Sequence, residues 1–428
     1  MYPGYLLFFL MLFVPANYQM IKLFLLITVL VIVSFRLLRD FKFHLHPVVL
    51  LWTIFYICLG ASWIFTGYRN AAPGAIPVAT VYLLWPAVFC FFIAGGIDEK
   101  IFISLSRIML TTTVIISLYG FSYILHSVGW LPDYLYLPIN QHQRIGFAEG
   151  TIEADLYSLD SLLFLVPFSL SMLMSWPKDH SPPVSRWFLW FVNIVGIAMV
   201  LLSGRRALIL VVAVSPLMTF TLQWFLADSV RRRSLVLPMK IGVPLSLLFV
   251  ATIYYLQKTM GFSMWSTAEM IGQGFHFDSY LPAMIRKNQF AALLKCWSES
   301  PWFGKGLGAT CTEFMRSRDL PWAYELTYLA LLYHTGIFGF LAYASGIIWI
   351  FVKGVQIIRS DAFLGLMILP VLIGLGAFLI GNASNPYLTK FDSVWTVFLP
   401  IAIINHWLLK TQQYTEIAIS RLPEVSTL

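Results

Sequence analysis

Apolar runs of bilayer-crossing length recur along nearly the whole chain, and they constrain its fold more than any other feature. A helix needs about 17–25 mostly apolar residues to cross the hydrocarbon core of a membrane. Such runs lie near 4–17, 20–35, 46–65, 75–95, 101–125, 159–176, 187–203, 207–227, 241–257, 335–352, 362–381 and 394–409. They predict an all-α, polytopic integral membrane protein of about 12 transmembrane helices, with residues 1–428 forming a single transmembrane domain. The first run is the shortest. No basic segment precedes it and no clear small-residue cleavage site follows, so it reads as a first span and not as a signal peptide.

Composition closes the alternatives. Charged residues make up 11% of the chain and hydrophobic ones 59%, against about 25% charged in soluble domains. So few charges cannot cover a soluble protein of this size, which excludes a soluble enzyme, a secreted domain and a disordered chain. The net charge of +8 comes from Lys and Arg scattered between spans. That pattern reads as inside-positive bias and attraction to anionic membrane lipid, not as a nucleic-acid surface.

The basic residues also orient the chain. One set of connections and the C-terminal tail hold fourteen Lys and Arg residues, from Arg36 to Arg421, while the short loops on the other side hold five. The richer side is cytoplasmic, so both termini are predicted inside. Two long connections then fall outside, at 126–158 and 258–334, and long loops in compact proteins are usually functional. No internal repeat is visible. Cys58 and Cys90 lie in apolar spans and read as packing residues. Cys296 and Cys311 share the second long loop and can pair if it faces an oxidising compartment.

A few charges need a further reason. Arg205 and Arg206 stand in LLSGRRALIL, between two spans with almost no loop. Adjacent guanidiniums there repel each other and are costly to desolvate. An anion would compensate them: Arg suits phosphate, and a helix starting near Ala207 would add its dipole. The bland reading is two arginines snorkelling to the interface. In the second long loop, MIRKNQFAALLKCW reads as an amphipathic helix with Ile285, Phe290, Leu293, Leu294 and Trp297 near one face, lying along the membrane surface. Arg286 sits near its start, and Arg318 lies further along the loop. SPWFGKGLGA follows the helix, and its glycines 304, 306 and 308 make a tight turn, either an ordinary one or one that offers backbone N–H groups to a ligand. Glu325 stands where polar loop becomes apolar helix in WAYELTYLALLYHTGIFGF. There it serves either the helix dipole or as a general base toward a sugar hydroxyl. His334 falls on the opposite face of a straight helix and reads as a buried structural residue. Arg144, in QHQRIGFAEGTIEAD, either meets substrate or pairs with its acidic neighbours. Lys390, in NASNPYLTKFDS, rims the same outer cavity with Asn385, Tyr387 and Asp392.

Taken together, RIGFAEGTIEAD before a span, the SGRRALIL turn, a large loop with Arg286 ending in SPWFGKGLGA, and ELTYLALLYHTGIFGFLAY resemble, in that order, the O-antigen polymerase (Wzy) and O-antigen ligase (WaaL) superfamily of bacterial glycan transferases. The resemblance covers roughly residues 140–400. It implies an inner-membrane enzyme with its active site facing the periplasm, which makes the two long loops periplasmic. The enzyme would transfer a glycan from an undecaprenyl-diphosphate-linked oligosaccharide donor to a lipid-linked acceptor, with no cofactor, no metal and no nucleic acid, and with a chain-length regulator protein as partner. Ligases usually show His where Glu325 stands. The carboxylate favours a polymerase of repeat units, of the O-antigen, capsule or exopolysaccharide type. The alternatives are a ligase to lipid A–core and a lipid-linked oligosaccharide flippase. On this reading Glu325 is the catalytic base, Arg205, Arg206, Arg286 and Arg318 bind diphosphate, and Arg144, Tyr328 and Lys390 bind substrate.

Overall fold

The computed structural model describes residues 2–15, 17–139, 144–148, 151–177, 182–226, 281–315 and 317–420. Twelve helices run through them: α1 (Tyr2–Phe13), α2 (Gln19–Asp40), α3 (Pro47–Arg69), α4 (Ala75–Ala94), α5 (Glu99–Ser127), α6 (Leu162–Ser175), α7 (Arg186–Leu202), α8 (Arg206–Leu226), α9 (Leu281–Ser298), α10 (Thr327–Ser360), α11 (Ala362–Asn382) and α12 (Trp395–Ser420). Among the described residues, nine helices are long and apolar enough to cross a membrane, and α1 and α7 are shorter apolar helices. Eleven of the twelve expected spans fall on these helices; the twelfth, 241–257, lies outside the described residues. The chain is thus a helical, polytopic membrane protein. Among the described residues the only strands are β1 (Arg144–Ala148) and β2 (Thr151–Asp155), an antiparallel hairpin that pairs Arg144 with Asp155.

Local chemistry sets the helix starts. Asp98 accepts the N–H of Ile101 at 2.9 Å ahead of α5, Ser185 accepts that of Phe188 ahead of α7, and Asp361 accepts those of Phe363 and Leu364 ahead of α11. Short polar side chains in these positions satisfy N–H groups that a helix leaves open.

The centre of the bundle is α6 against α11. Every residue from Leu162 to Met174 is buried, as a helix apolar on all sides requires. Gly374 and Gly381 of α11 face the side chains of Phe164 and Leu163, and small residues at such a crossing let two helices approach closely. By contrast α2 and α3 keep most of their apolar surface exposed, as helices facing lipid do.

Hydrogen bonds and ion pairs sort the connections into two ends of the bundle. At one end, Ser161 donates to Leu12 O, Ala154 N–H to Ser203 O, and Lys22 pairs with Asp392. At the other, Asn405 bridges His44 and His46, and Lys410 bridges Glu99 and Asp361.

The helix α10 is broken. Gly336 has φ +64° inside it, a value that glycine adopts without penalty. The polar groups freed by the break are taken up by residues 301–306. Lys305 and Gly306 N–H donate to the carbonyls of Tyr333 and His334, and Ile337 and Phe338 N–H donate to those of Pro301 and Trp302. Irregular backbone near membrane depth is tolerated where protein satisfies it in this way. The expected span 335–352 begins at this break. Helix extends two further turns back to Thr327.

Candidate functional site

Two charged clusters stand at the end of the bundle that carries Lys22 and Asp392. The first is built on the turn between α7 and α8. Gly204 has φ +64°, Ser203 Oγ accepts Arg205 N–H at 3.3 Å, and Arg205 Nε donates to Ala154 O at 3.1 Å. The guanidinium then meets the Asp160 carboxylate, whose second oxygen lies 3.4 Å from Lys390 Nζ. The Lys390 ammonium also stands over the rings of Tyr157 and Tyr387, 5.4 and 5.6 Å from their centroids. One carboxylate is therefore shared by two cations from segments remote in sequence.

Arg206, half-buried, is the first residue of α8, one position earlier than the expected start at Ala207. A cation in a helix's first turn opposes the helix dipole.

The second cluster joins α9 to the chain just before α10. Arg286 Nε donates to Glu325 Oε2 at 2.7 Å, and the carboxylate side chain is 16% exposed. Glu325 lies two residues ahead of the helix. Its neighbours are held on both sides: Tyr324 Oη accepts Cys311 N–H at 2.7 Å, and Gln289 Oε1 accepts Leu326 N–H at 2.9 Å. Burial pushes the Tyr324 phenol above its ordinary pKa, with the Cys311 N–H acting in the opposite sense. Cys296 of α9 and Cys311 form a disulfide, so α9 and the segment leading to Glu325 are covalently tied. Tyr328 Oη donates to Leu379 O at 2.6 Å, which seats the first turn of α10 on the end of α11. Beyond that end, Asn382 accepts Leu388 N–H, and Lys390 follows two residues later. Through this chain both clusters belong to one end of the bundle.

Other expected site residues fall elsewhere. Arg318 is exposed in the bend at 317–320, and among the described residues nothing joins it to either cluster. Arg144 opens β1, where its backbone pairs with Asp155. Asp392 forms a buried pair with Lys22 and does not rim an outer cavity beside Lys390.

The helix α9 turns a different face inward than its apolar pattern suggests. Gln289, Ala292, Leu293 and Cys296 are buried, while Ile285, Phe290 and Leu294 are exposed. The disulfide and the Gln289 hydrogen bond fix that rotation. The glycines of SPWFGKGLGA pack backbone on backbone. A Cβ at residue 304 would strike His334, one at 306 would strike Gly67, and one at 308 would strike Gly74. The N–H groups of residues 304–307 donate within the chain, so this turn is a structural wedge. His334 donates through Nε2 to Ala309 O at 2.9 Å, which makes it part of the same wedge.

Asp160 and Gln289 are the residues that sequence reasoning missed. A carboxylate heading an apolar run, as in YSLDSLLFLV, does signal a needed partner; nothing in local spacing marks Gln289. A cavity of about 440 Å³ lies at the opposite end, lined by Asp361, Trp407, Lys410 and Tyr414. Its charges are mutually paired through Lys410, Asp361 and Glu99. No protein-family model matches the chain, and no curated protein does.

Proposed function

We propose that this chain is a polymerase of lipid-linked polysaccharide repeat units, moving the growing glycan from undecaprenyl diphosphate to a sugar of another lipid-linked unit at the periplasmic face of a bacterial inner membrane. The observation that carries the proposal is the Arg286–Glu325 pair, held at the same end of the bundle as the Arg205–Arg206 turn. Two features support the orientation. The end with the clusters also holds the Cys296–Cys311 disulfide, and disulfides persist in oxidising compartments. The basic residues of the short connections concentrate at the other side, as cytoplasmic loops do.

The chemistry follows from the groups present. Glu325 accepts the proton of the acceptor hydroxyl. The hydroxyl oxygen attacks C1 of the donor glycan, the C1–O bond to phosphate breaks, and undecaprenyl diphosphate leaves with the electron pair. One displacement of this kind inverts the anomeric centre. Guanidiniums fixed before the reaction stabilise the negative charge that develops on the leaving group. Arg206 and Arg205 serve there from the turn. Arg286 orients the base through Nε and retains two further nitrogens for the diphosphate. The resemblance also implies that Arg318 binds diphosphate and that Arg144, Tyr328 and Lys390 bind substrate, with a chain-length regulator as the protein partner.

Deletion of the chain, followed by a gel of the surface glycan, tests this reading. A polymerase leaves a single repeat unit on lipid A–core, or abolishes the polymer where none is attached to core. Bare core with long chains kept on undecaprenyl diphosphate would replace this reading with a ligase.

A further inference from the structure

We infer that Gln289 is a positioning residue for Glu325; the inference rests on the reading of Glu325 as the base. Arg286 and Gln289 are three residues apart on α9 and so share one helix face. From that face Arg286 grips the Glu325 carboxylate at 2.7 Å and Gln289 grips the next peptide group, Leu326 N–H, at 2.9 Å. A backbone N–H only donates, so the atom of Gln289 facing it is the oxygen. The peptide on one side of Glu325 is thus fixed by Gln289, while Tyr324 on the other side is fixed by Cys311. The Cys296–Cys311 disulfide closes the circuit back onto α9.

The remainder of the Gln289 side chain argues that this bond is its purpose. The residue is 1% exposed, and among the described residues its amide nitrogen has no hydrogen-bond partner. A buried donor left unmade costs stability, and an apolar side chain of similar size would avoid that cost. Such a half-satisfied amide is expected where a local rule yields to a functional site. General-base catalysis needs the carboxylate within hydrogen-bond reach of the acceptor hydroxyl, and displacement of a reacting group by about 1 Å can cost roughly a hundredfold in rate. Arg286 sets the direction of the carboxylate; Gln289 sets the backbone from which it projects.

The test uses the purified full-length protein with undecaprenyl-diphosphate-linked repeat units extracted from cells deleted for this chain. Gln289→Leu removes the acceptor for Leu326 N–H, and kcat is expected to fall by roughly 10–100-fold with little change in KM. Gln289→Glu keeps an acceptor oxygen and therefore the backbone bond. It places a second carboxylate on the helix face that carries Arg286, in competition with Glu325 for that guanidinium. Weaker contact with Arg286 and a second negative charge nearby both disfavour the charged carboxylate, so the acid limb of this variant's kcat–pH profile should lie at higher pH than that of the wild type. If Gln289→Leu proves too unstable to assay, the pH profile of Gln289→Glu decides. The assignment is overturned if the Gln289→Glu profile superimposes on that of the wild type, or if Gln289→Leu keeps wild-type kcat, while Glu325→Gln is inactive. Wild-type activity in Glu325→Gln would instead remove the base reading, and this inference with it.

Discussion

At the scale of single residues, Asp160 shows how a membrane protein keeps cations where a substrate anion is expected. Its carboxylate is shared by Arg205 and Lys390, which lie 45 and 230 residues away in sequence. In Asp160→Asn the volume is kept and the charge removed, so both cations remain near the apolar end of α6 without it. The expected loss of stability falls below the about 3–5 kcal/mol seen when a fully buried pair is broken, because the Lys390 side chain is 38% exposed. Thermal unfolding of the detergent-solubilised protein measures it. Asp160→Asn combined with Lys390→Met should recover part of the loss; a double variant no more stable than the single one would show that Lys390 does not share the carboxylate in solution. The sequence marks Arg205, Arg206 and Glu325 as costly charges, since each interrupts or borders an apolar run. It conceals their partners, because a pairing set by the fold leaves no local spacing to read.

At the scale of elements, the wedge at 301–308 supports the break in α10. Gly306 has φ +94°, and a Cβ there would meet the backbone of Gly67 at the end of α3. Gly129 has a similar φ of +77° but open space around it. Alanine at both positions pays the left-handed backbone cost of about 1–2 kcal/mol. Only at 306 is there added overpacking, typically about 1–3 kcal/mol. Gly306→Ala should therefore lower the unfolding midpoint well beyond Gly129→Ala, and equal shifts would show that the wedge does not hold the α3–α10 contact tightly. The helices themselves are legible from apolar run length, since backbone groups in lipid must be satisfied within the helix. The break is not. Gly336 in HTGIFGF looks like an ordinary small residue in a span, and its φ depends on carbonyls supplied by Pro301 and Trp302. The rotation of α9 is hidden for a similar reason. Its apolar residues occupy more than one face, and the disulfide and Gln289 decide which face turns inward.

At the scale of the whole molecule, segments near the two ends of the chain are joined by a pair that charge counting alone does not reveal. The inside-positive count assigns Lys22 to a short outer loop, and the polar character of NASNPYLTKFDS puts Asp392 at the rim of a cavity. In the fold Lys22 Nζ lies 3.0 Å from Asp392, 370 residues on, with both side chains almost fully buried. Lys22 also donates to Val14 O at 2.8 Å, so one ammonium ties the α1–α2 connection to the segment before α12. Loop polarity could establish that these residues share one end of the bundle; it could not establish that they touch. Burying two charges is expensive, and the attraction between them offsets that cost only while both are present. Asp392→Asn should therefore destabilise the protein by about 3–5 kcal/mol. Lys22→Met with Asp392→Leu removes both charges and keeps apolar volume, and it should come back to near wild-type stability or exceed it. The same pair of variants separates stability from activity. If the pair only fastens the N-terminal helices to the bundle, the double variant keeps the wild-type rate in the repeat-unit assay that tests the proposed function. A stable double variant with low kcat would instead place Lys22 and Asp392 in the coupling between the N-terminal helices and the cluster around Lys390.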